Sequence, residues 1–463
     1  MPSFDYDLLV IGSGPGGESA AIAAAKLGKK VAIIERKPYV GGVSLQTGTI
    51  PSKALREAAY LANRSSSWGM RRSLQNCTAS KNGFLTDTLR LISQVVDHKE
   101  AQILSKLMRH GVTLIPGEAS FIDTHSLQVV GPHGDEQHIT AAYIILATGS
   151  RPRRPKSVPF DKQVILDSSS LLKIAHVPAS LIVVGGGVIA CEFASIFASF
   201  GSKVTVIDSH AQLLAYMDDD IVTVLSDEFK AMNIKLCMNT RLKEITRTTE
   251  GVKVTTETGD TLQADTLLYA LGRKPNYGLL NLDKAGLFAD DQGWVRINEH
   301  YQTSEQHIYI IGDLAGRPSL ASTAKEQGRI TVHHAFEGKV LHNTGPLPMA
   351  IYTIPEVSYV GETERELQQR NVNYIKGVGY YGNTARGQII GDEQGLVKLL
   401  VDRDSRDILG VHIIGESASE LIHVGQMAMT CQAKVDVLAT TVFNYPTLAQ
   451  CYKSAALECL QQL

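Results

Sequence analysis

The chain has 463 residues, 44% of them hydrophobic and 20% charged, and its 45 Lys and Arg nearly balance 47 Asp and Glu for a net charge of −2. That length exceeds what one hydrophobic core serves and predicts two to four domains. The balanced charge argues against a nucleic-acid-binding protein or one held to an anionic membrane.

No apolar run approaches the ~18 residues needed to span a bilayer. The first predicted strand begins at Tyr6, which leaves no room for a signal peptide. The six cysteines (Cys77, Cys191, Cys237, Cys431, Cys451, Cys459) show neither CxxC nor metal-ligand spacing. They read as reduced thiols, and no metal site is expected. The expectation is a soluble, cytoplasmic α/β protein.

Tyr6 to Glu35 is the first informative stretch. An apolar run (Leu8 to Ile11) precedes Gly12-x-Gly14-x-x-Gly17, then an Ala-rich helical segment, then Val31 to Ile34 ending on Glu35. This is the order a dinucleotide site requires. Gly12 permits a tight turn, Gly14 lets the backbone approach a pyrophosphate, and Gly17 lets the helix pack on the strand. Glu35 is placed to accept hydrogen bonds from a ribose.

Gly41 to Lys53 reads GGVSLQTGTIPSK. It resembles the segment of the two-dinucleotide-binding flavoprotein disulfide reductases that carries a redox-active Cys-x4-Cys against the flavin. Those two positions are Ser44 and Thr49 here, and hydroxyls neither form a disulfide nor ionise appreciably at neutral pH. Dithiol chemistry is excluded at this site. The resemblance places Lys53 beside the reactive flavin nitrogen.

Residues 54 to 110 read as long helical segments with a polar bend around Ser65–Ser67. Val112 to Ile115 and Ser126 to Val130 are strand-like. Ala142 to Leu146 is closed by Ala147-Thr148-Gly149-Ser150, and Arg151 to Pro155 reads as an extended, solvated crossover.

The pattern restarts at Leu181. A strand to Val184 is followed by Gly185-x-Gly187-x-x-Ala190, a helix from Cys191 to Phe200, and a strand Lys203 to Ile207 ending on Asp208. Two fingerprints imply two nucleotides: FAD at the first, by the resemblance, and a pyridine nucleotide at the second. The resemblance pairs Glu192 with Lys53, and a tyrosine that often gates the family's nicotinamide pocket is replaced by Val188. A carboxylate at Asp208 accepts from the 2′-hydroxyl of NAD(H) and repels the 2′-phosphate of NADP(H). Ser209, His210 and Gln212 follow where similar enzymes tend to carry arginines. A protonated His210 would compensate only in part.

Thr266 to Asn276 resembles the family's return crossover, and Ile308 to Asp313 a strand whose aspartate, Asp313, binds the FAD ribityl chain. Leu320, Ala321 and Ser322 precede a helix Thr323 to Phe336. The resemblance implies cofactor contacts from Gly12, Gly14, Gly17, Glu35, Arg36, Gly42, Thr49, Ser52, Lys53, Ala119, Thr148 and Gly149. It adds Gly185, Gly187, Ala190, Asp208, Gly272, Arg273, Gly312, Asp313, Leu320, Ala321 and Ser322, with Lys53 and Glu192 as the catalytic pair.

From about Gly345 the pattern resembles the family's dimerisation domain. The implied fold is α/β, with two Rossmann-like dinucleotide-binding domains and an α+β dimerisation domain. The FAD-binding domain is expected over 1–150 and 275–340, the NAD(P)-binding domain over 151–274, and the dimerisation domain over 341–463, giving a homodimer.

Near the end, Phe443-Asn444-Tyr445-Pro446-Thr447 puts Tyr445 and Gln450 where the disulfide reductases carry their His and Glu acid/base pair. Neither works as a base near pH 7. Disulfide and base are therefore missing together. With Gly48 to Lys53 and Arg317 to Ser322, this resembles the Si-specific transhydrogenase branch of the family. That implies ping-pong hydride exchange between NAD(H) and NADP(H) through FAD, with pyridine nucleotides as substrates. The alternatives are an NADH-dependent diaphorase passing electrons to a quinone, oxygen or a protein, and a nucleotide-sensing flavoprotein without turnover.

Overall fold

The computed structural model describes residues 4–67, 81–291, 293–316, 318–341 and 345–463. Arg317 and Cys77 lie outside the described residues. The first sheet runs β3 (Thr113–Pro116), β2 (Val31–Glu35), β1 (Tyr6–Ile11), β6 (Glu136–Leu146), β5 (Ser126–Val130), β4 (Glu118–Phe121). β1 pairs in parallel with both β2 and β6, so its buried Leu8–Ile11 sits mid-sheet, Leu8 and Val10 facing helices and Leu9 and Ile11 facing the β4–β5 meander. A strand from far along the chain, Ile308–Ile310, adds in parallel to β6.

Helix Pro15–Lys26 packs on helix Ala321–Glu337. Small residues allow this: a Cβ at Gly328 would lie 2.4 Å from the Gly16 carbonyl oxygen. The Ala-rich sequence after the first fingerprint therefore serves close helix packing as well as helix propensity.

The second parallel sheet contains Ile165–Leu166, Ser180–Val184, Lys203–Ile207, Lys235–Cys237 and Thr266–Tyr269. A short antiparallel ribbon, Ser150–Pro152 against Arg273–Pro275, lies where the chain enters and leaves it. The third sheet is antiparallel and five-stranded, from Met349–Ile351 to Ile408–Ile414, with helices Ala418–Thr430 and Gln450–Leu460 packed on it.

One apolar core crosses all three units. Leu55 and Ala59 of helix Thr49–Ser67 join Phe193 and Phe197 of helix Val188–Ser199, with Ile351 and Val357 of the third sheet. The bend expected at Ser65–Ser67 is instead the last turn of helix Thr49–Ser67. Serine costs a helix only a few tenths of a kcal/mol, too little to break a continuing hydrogen-bond ladder. The helix expected from Cys191 begins at Val188, immediately after its Gly187 N-cap, and the one expected from Thr323 begins at Ala321.

Candidate functional site

The two fingerprints open into one continuous groove of about 2600 Å³. At the first, Gly12 has φ +105°, and a Cβ there would lie 2.5 Å from the Ala147 carbonyl oxygen. Gly14 is the N-cap of helix Pro15–Lys26, makes no side-chain cap, and has open space in front of it. The first-turn N–H groups are thus left for a ligand. Glu35 Oε2 accepts from the Ser13 N–H at 3.0 Å and hydroxyl at 2.7 Å, which anchors its carboxylate at the groove edge. Gly17 does not line the groove; a Cβ there would sit 2.0 Å from the Gly12 carbonyl oxygen. Its contribution is helix–strand packing and not contact, and fully buried Ala190 is likewise off the groove.

The second cradle repeats this geometry. Gly185 has φ +118°, and Gly187 caps helix Val188–Ser199 with open space before it. Asp208, buried at the end of Lys203–Ile207, is already engaged by the protein. Its Oδ2 accepts the Gly186 N–H, and its Oδ1 accepts the His210 N–H at 2.7 Å and ring Nδ1 at 2.6 Å. The aspartate expected to face a ribose directly carries a histidine ring against it.

Between the cradles, Lys53 Nζ donates to both oxygens of Glu192 at 2.7 Å. Packing of their two helices brings together residues 139 positions apart. The Tyr352 N–H donates to Glu192 Oε1 at 2.9 Å, and the Tyr352 ring lies under the ammonium, 4.7 Å from Nζ. The pair therefore rests on all three units. No motif marked Tyr352; only the return of Met349–Ile351 to this junction reveals it. Ser44, Thr49 and Ser52 line the groove beside Lys53, together with Gly42 and Val188.

The neck joining the first two units is closed by reciprocal bonds. The Thr148 hydroxyl donates to the Asn276 carbonyl at 2.9 Å, and the Asn276 amide donates to the Thr148 carbonyl at 3.0 Å. The Asn276 N–H donates to the Gly149 carbonyl. Arg273 donates to the Ser150 hydroxyl and carbonyl, and Ser150 in turn donates to Asp313. Burial pulls the Arg273 guanidinium below its ordinary pKa, opposed by the nearby Asp313 carboxylate. Gly272, Gly312, Leu320, Ala321 and Ser322 border the same groove, and Leu320 caps its helix without a side-chain bond. Ala119 lines the wall, and Arg36 reaches Glu118 at 4.0 Å.

Among the described residues the thiols offer no substitute dithiol. Cys191, Cys451 and Cys459 are buried, and burial raises all three, the latter two to about 12. Among the described residues, one acidic trio has metal-ligand spacing: Asp218, Asp220 and Glu364. The ammonium of fully buried Lys398 bonds to all three.

The sequence model of the pyridine nucleotide-disulphide oxidoreductases matches residues 6–328, and that of their dimerisation domain matches residues 347–456. The chain is 41% identical to a soluble pyridine nucleotide transhydrogenase of Mycobacterium bovis, covering 99% of this chain and 98% of the relative. It is also 41% identical to the protein of that name from Pectobacterium atrosepticum, with the same coverage. Among solved structures, the HOCl-induced flavoprotein disulfide reductase RclA of Escherichia coli, as its Cu(II) complex, superposes with a TM-score of 0.88 at 25% identity, covering 99% of each chain. LpdA of Mycobacterium tuberculosis gives 0.88 at 28% identity, covering 97% of this chain and 99% of that one. Paired cradles, a junction without thiols and these full-length matches together place the chain in the pyridine nucleotide-disulphide oxidoreductase family, among its relatives named soluble transhydrogenases.

Proposed function

We propose that the chain is an FAD-dependent oxidoreductase that moves hydride between NAD(H) and NADP(H), the two nucleotides using one site in turn. The observation that carries this reading is the Lys53–Glu192 pair, set where both cradles open into one groove beside Ser44 and Thr49. FAD, when bound, supplies a centre that takes up a hydride and returns it.

The residues present suit that cofactor. The open front of Gly14 and the uncapped helix start behind it fit a pyrophosphate, and Glu35 stands at the ribose edge. Asp313 and the uncapped start of Ala321–Glu337 would hold the rest. Gly185, Gly187, Gly272, Arg273 and the Asp208 corner would hold the pyridine nucleotide. Lys53 would present positive charge to the flavin, while Glu192 keeps that charge from being buried alone. Hydride exchange needs no general base, which agrees with Tyr445 and Gln450 in the acid/base positions.

The division into an FAD-binding unit (1–150 and 275–340), an NAD(P)-binding unit (151–274) and a dimerisation unit (341–463) belongs to this reading. So do a cytoplasmic homodimer and Si-specific transfer. Tyr445 and Val442, 74% and 91% exposed, would meet the second copy.

Anaerobic stopped-flow tests the reading. Both NADH and NADPH should bleach the bound flavin, and an NAD+ analogue should restore its colour while being reduced. Each of two NADH samples deuterated on opposite faces at C4 then reads the stereochemistry, since only one should pass deuterium on. The second reading, an NADH diaphorase, is favoured by Asp208. It predicts bleaching by NADH alone, with recovery only by oxygen or a quinone.

A further inference from the structure

Arg56 stands one turn after Lys53 on helix Thr49–Ser67, with its side chain only 6% exposed. Its Nη1 lies 3.2 Å from Oε1 of buried Glu356 and 3.4 Å from exposed Glu57, and its Nε donates to the Thr353 carbonyl at 3.3 Å. The guanidinium sits 4.7 Å from the centre of the Tyr60 ring. Glu356 is fixed in turn: its Oε2 accepts the Ser419 N–H at 3.1 Å and hydroxyl at 2.8 Å, at the start of helix Ala418–Thr430. Neither Arg56 nor Glu356 lines the groove. A buried ion pair gains little over a well-packed apolar pair, so core packing alone does not call for charges here. What an apolar side chain could not do is hold a backbone carbonyl.

That carbonyl belongs to the segment that meets the Lys53–Glu192 pair. Three consecutive residues of it are bound by three side chains. Glu192 accepts the Tyr352 N–H at 2.9 Å, Arg56 holds the Thr353 carbonyl, and the Ser195 hydroxyl accepts the Ile354 N–H at 3.2 Å. Glu192 and Ser195 lie on helix Val188–Ser199, whereas Arg56 lies on the helix that carries Lys53. We propose that Arg56 is a positioning residue for the flavin junction: with Glu356 it ties the helix of Lys53 to this segment and so keeps the Tyr352 ring under the Lys53 ammonium. The proposal rests on the reading that FAD sits beside Lys53. Without Arg56, the 4.7 Å between ring and ammonium depends on Glu192 alone. A cation loses its attraction to a ring as the two separate, and a loosely held ammonium is misplaced for the group it serves. Positive charge held at Lys53 favours the electron-rich, reduced form of a bound flavin, so its position is read by the flavin's reduction equilibrium as well as by rate.

The experiment uses flavin-loaded protein of the natural chain, R56M/E356Q, R56K, Y352L and the triple variant R56M/E356Q/Y352L. R56M/E356Q removes both charges at similar size, so its melting temperature should stay within about 3 °C of the natural chain. At saturating NADH its flavin should bleach about fivefold more slowly, while the NADH concentration giving half the maximal rate stays within about twofold. The equilibrium for flavin reduction should fall by the same factor of about five, which is about 20 mV for a two-electron couple. R56K, whose ammonium can donate to both partners, should recover most of the rate. In the Y352L background the two substitutions should change the rate by less than about twofold, because Arg56 acts through that ring. A folded R56M/E356Q whose rate and reduction equilibrium stay within about 1.5-fold of the natural chain, or a fivefold loss that persists in Y352L, overturns the assignment and leaves the flavin reading standing. If R56M/E356Q gives no folded protein, E356Q alone should slow bleaching about threefold, and an unchanged rate overturns the assignment. A natural chain that takes up no FAD overturns both.

Discussion

Replacing Glu192 with alanine removes the counter-charge of Lys53 and the acceptor of the Tyr352 N–H at once. An orphaned backbone donor costs about 1–3 kcal/mol. Breaking a fully buried ion pair costs about 3–5 kcal/mol. Lys53 keeps 26% side-chain exposure against 6% for Glu192, so water reaches the ammonium left behind. That screening puts the whole loss near the lower limit, about 3 kcal/mol. With an unfolding entropy of about 2.1 cal/mol/K per residue over 463 residues, the melting temperature should fall by about 3 °C. Scanning calorimetry of the natural chain, E192A, K53A and the double variant checks this. The double variant should be more stable than the summed single losses predict, by about 2 kcal/mol, because it removes the stranded charge as well. A fall of under about 1 °C with additive losses would refute the reasoning, because the pair would then behave as an exposed surface contact. E192Q, which keeps an acceptor for Tyr352, should recover part of the stability but not the rate of NADH-driven flavin bleaching.

Gly14→Val should fold normally, since nothing lies within 4 Å of a Cβ there, but purify with at least tenfold weaker flavin retention; absorbance of the eluted protein reads it. Gly17→Val, whose Cβ would meet the Gly12 carbonyl at 2.0 Å, should instead fail to give stable protein. Lys398→Ala leaves buried Asp218 without its cation, while Asp220 and Glu364 keep Lys376, and should cost about 3 kcal/mol by urea denaturation. Tyr352→Leu should slow bleaching severalfold while Tyr352→Phe does not, because the ring and not the hydroxyl supports Lys53.

The pH dependence of stability near pH 6 follows from three histidines whose burial holds them below their ordinary value, fully buried His412 among them. Burial holds His307 below its ordinary value of 6.5, helped by stacked His125, and burial with neighbouring His300 does the same for His334. The unfolded chain then binds more protons than the folded one near pH 6. Their contribution is complete above the ordinary histidine value and is lost as the pH falls through the lower folded values. Melting temperatures measured from pH 7.5 to about 5 should fall, and His307→Asn should flatten the slope.

The glycine positions of both cradles were legible in the sequence because each records a local requirement. A positive φ at Gly12 and Gly185 is a need that glycine meets best, and the missing Cβ at Gly14 and Gly187 leaves open space at the start of each helix for a ligand. Buried parallel strands announced themselves in the same way, as unbroken apolar runs at Leu8–Ile11 and Leu181–Val184. Loss of the thiol pair at Ser44 and Thr49 was equally plain, since side-chain chemistry is a property of the residue itself.

What only the tertiary structure decided are the contacts between units. Lys53 and Glu192 could be paired in advance by resemblance alone, and nothing in the chain pointed to Tyr352 beneath them. Asp208 read as a free ribose acceptor until the fold turned the His210 ring back onto it. Sequence patterns record what each residue asks of its near neighbours. Which side chains meet across 139 or 160 positions depends on how three separately patterned units share one core, and no local period encodes that.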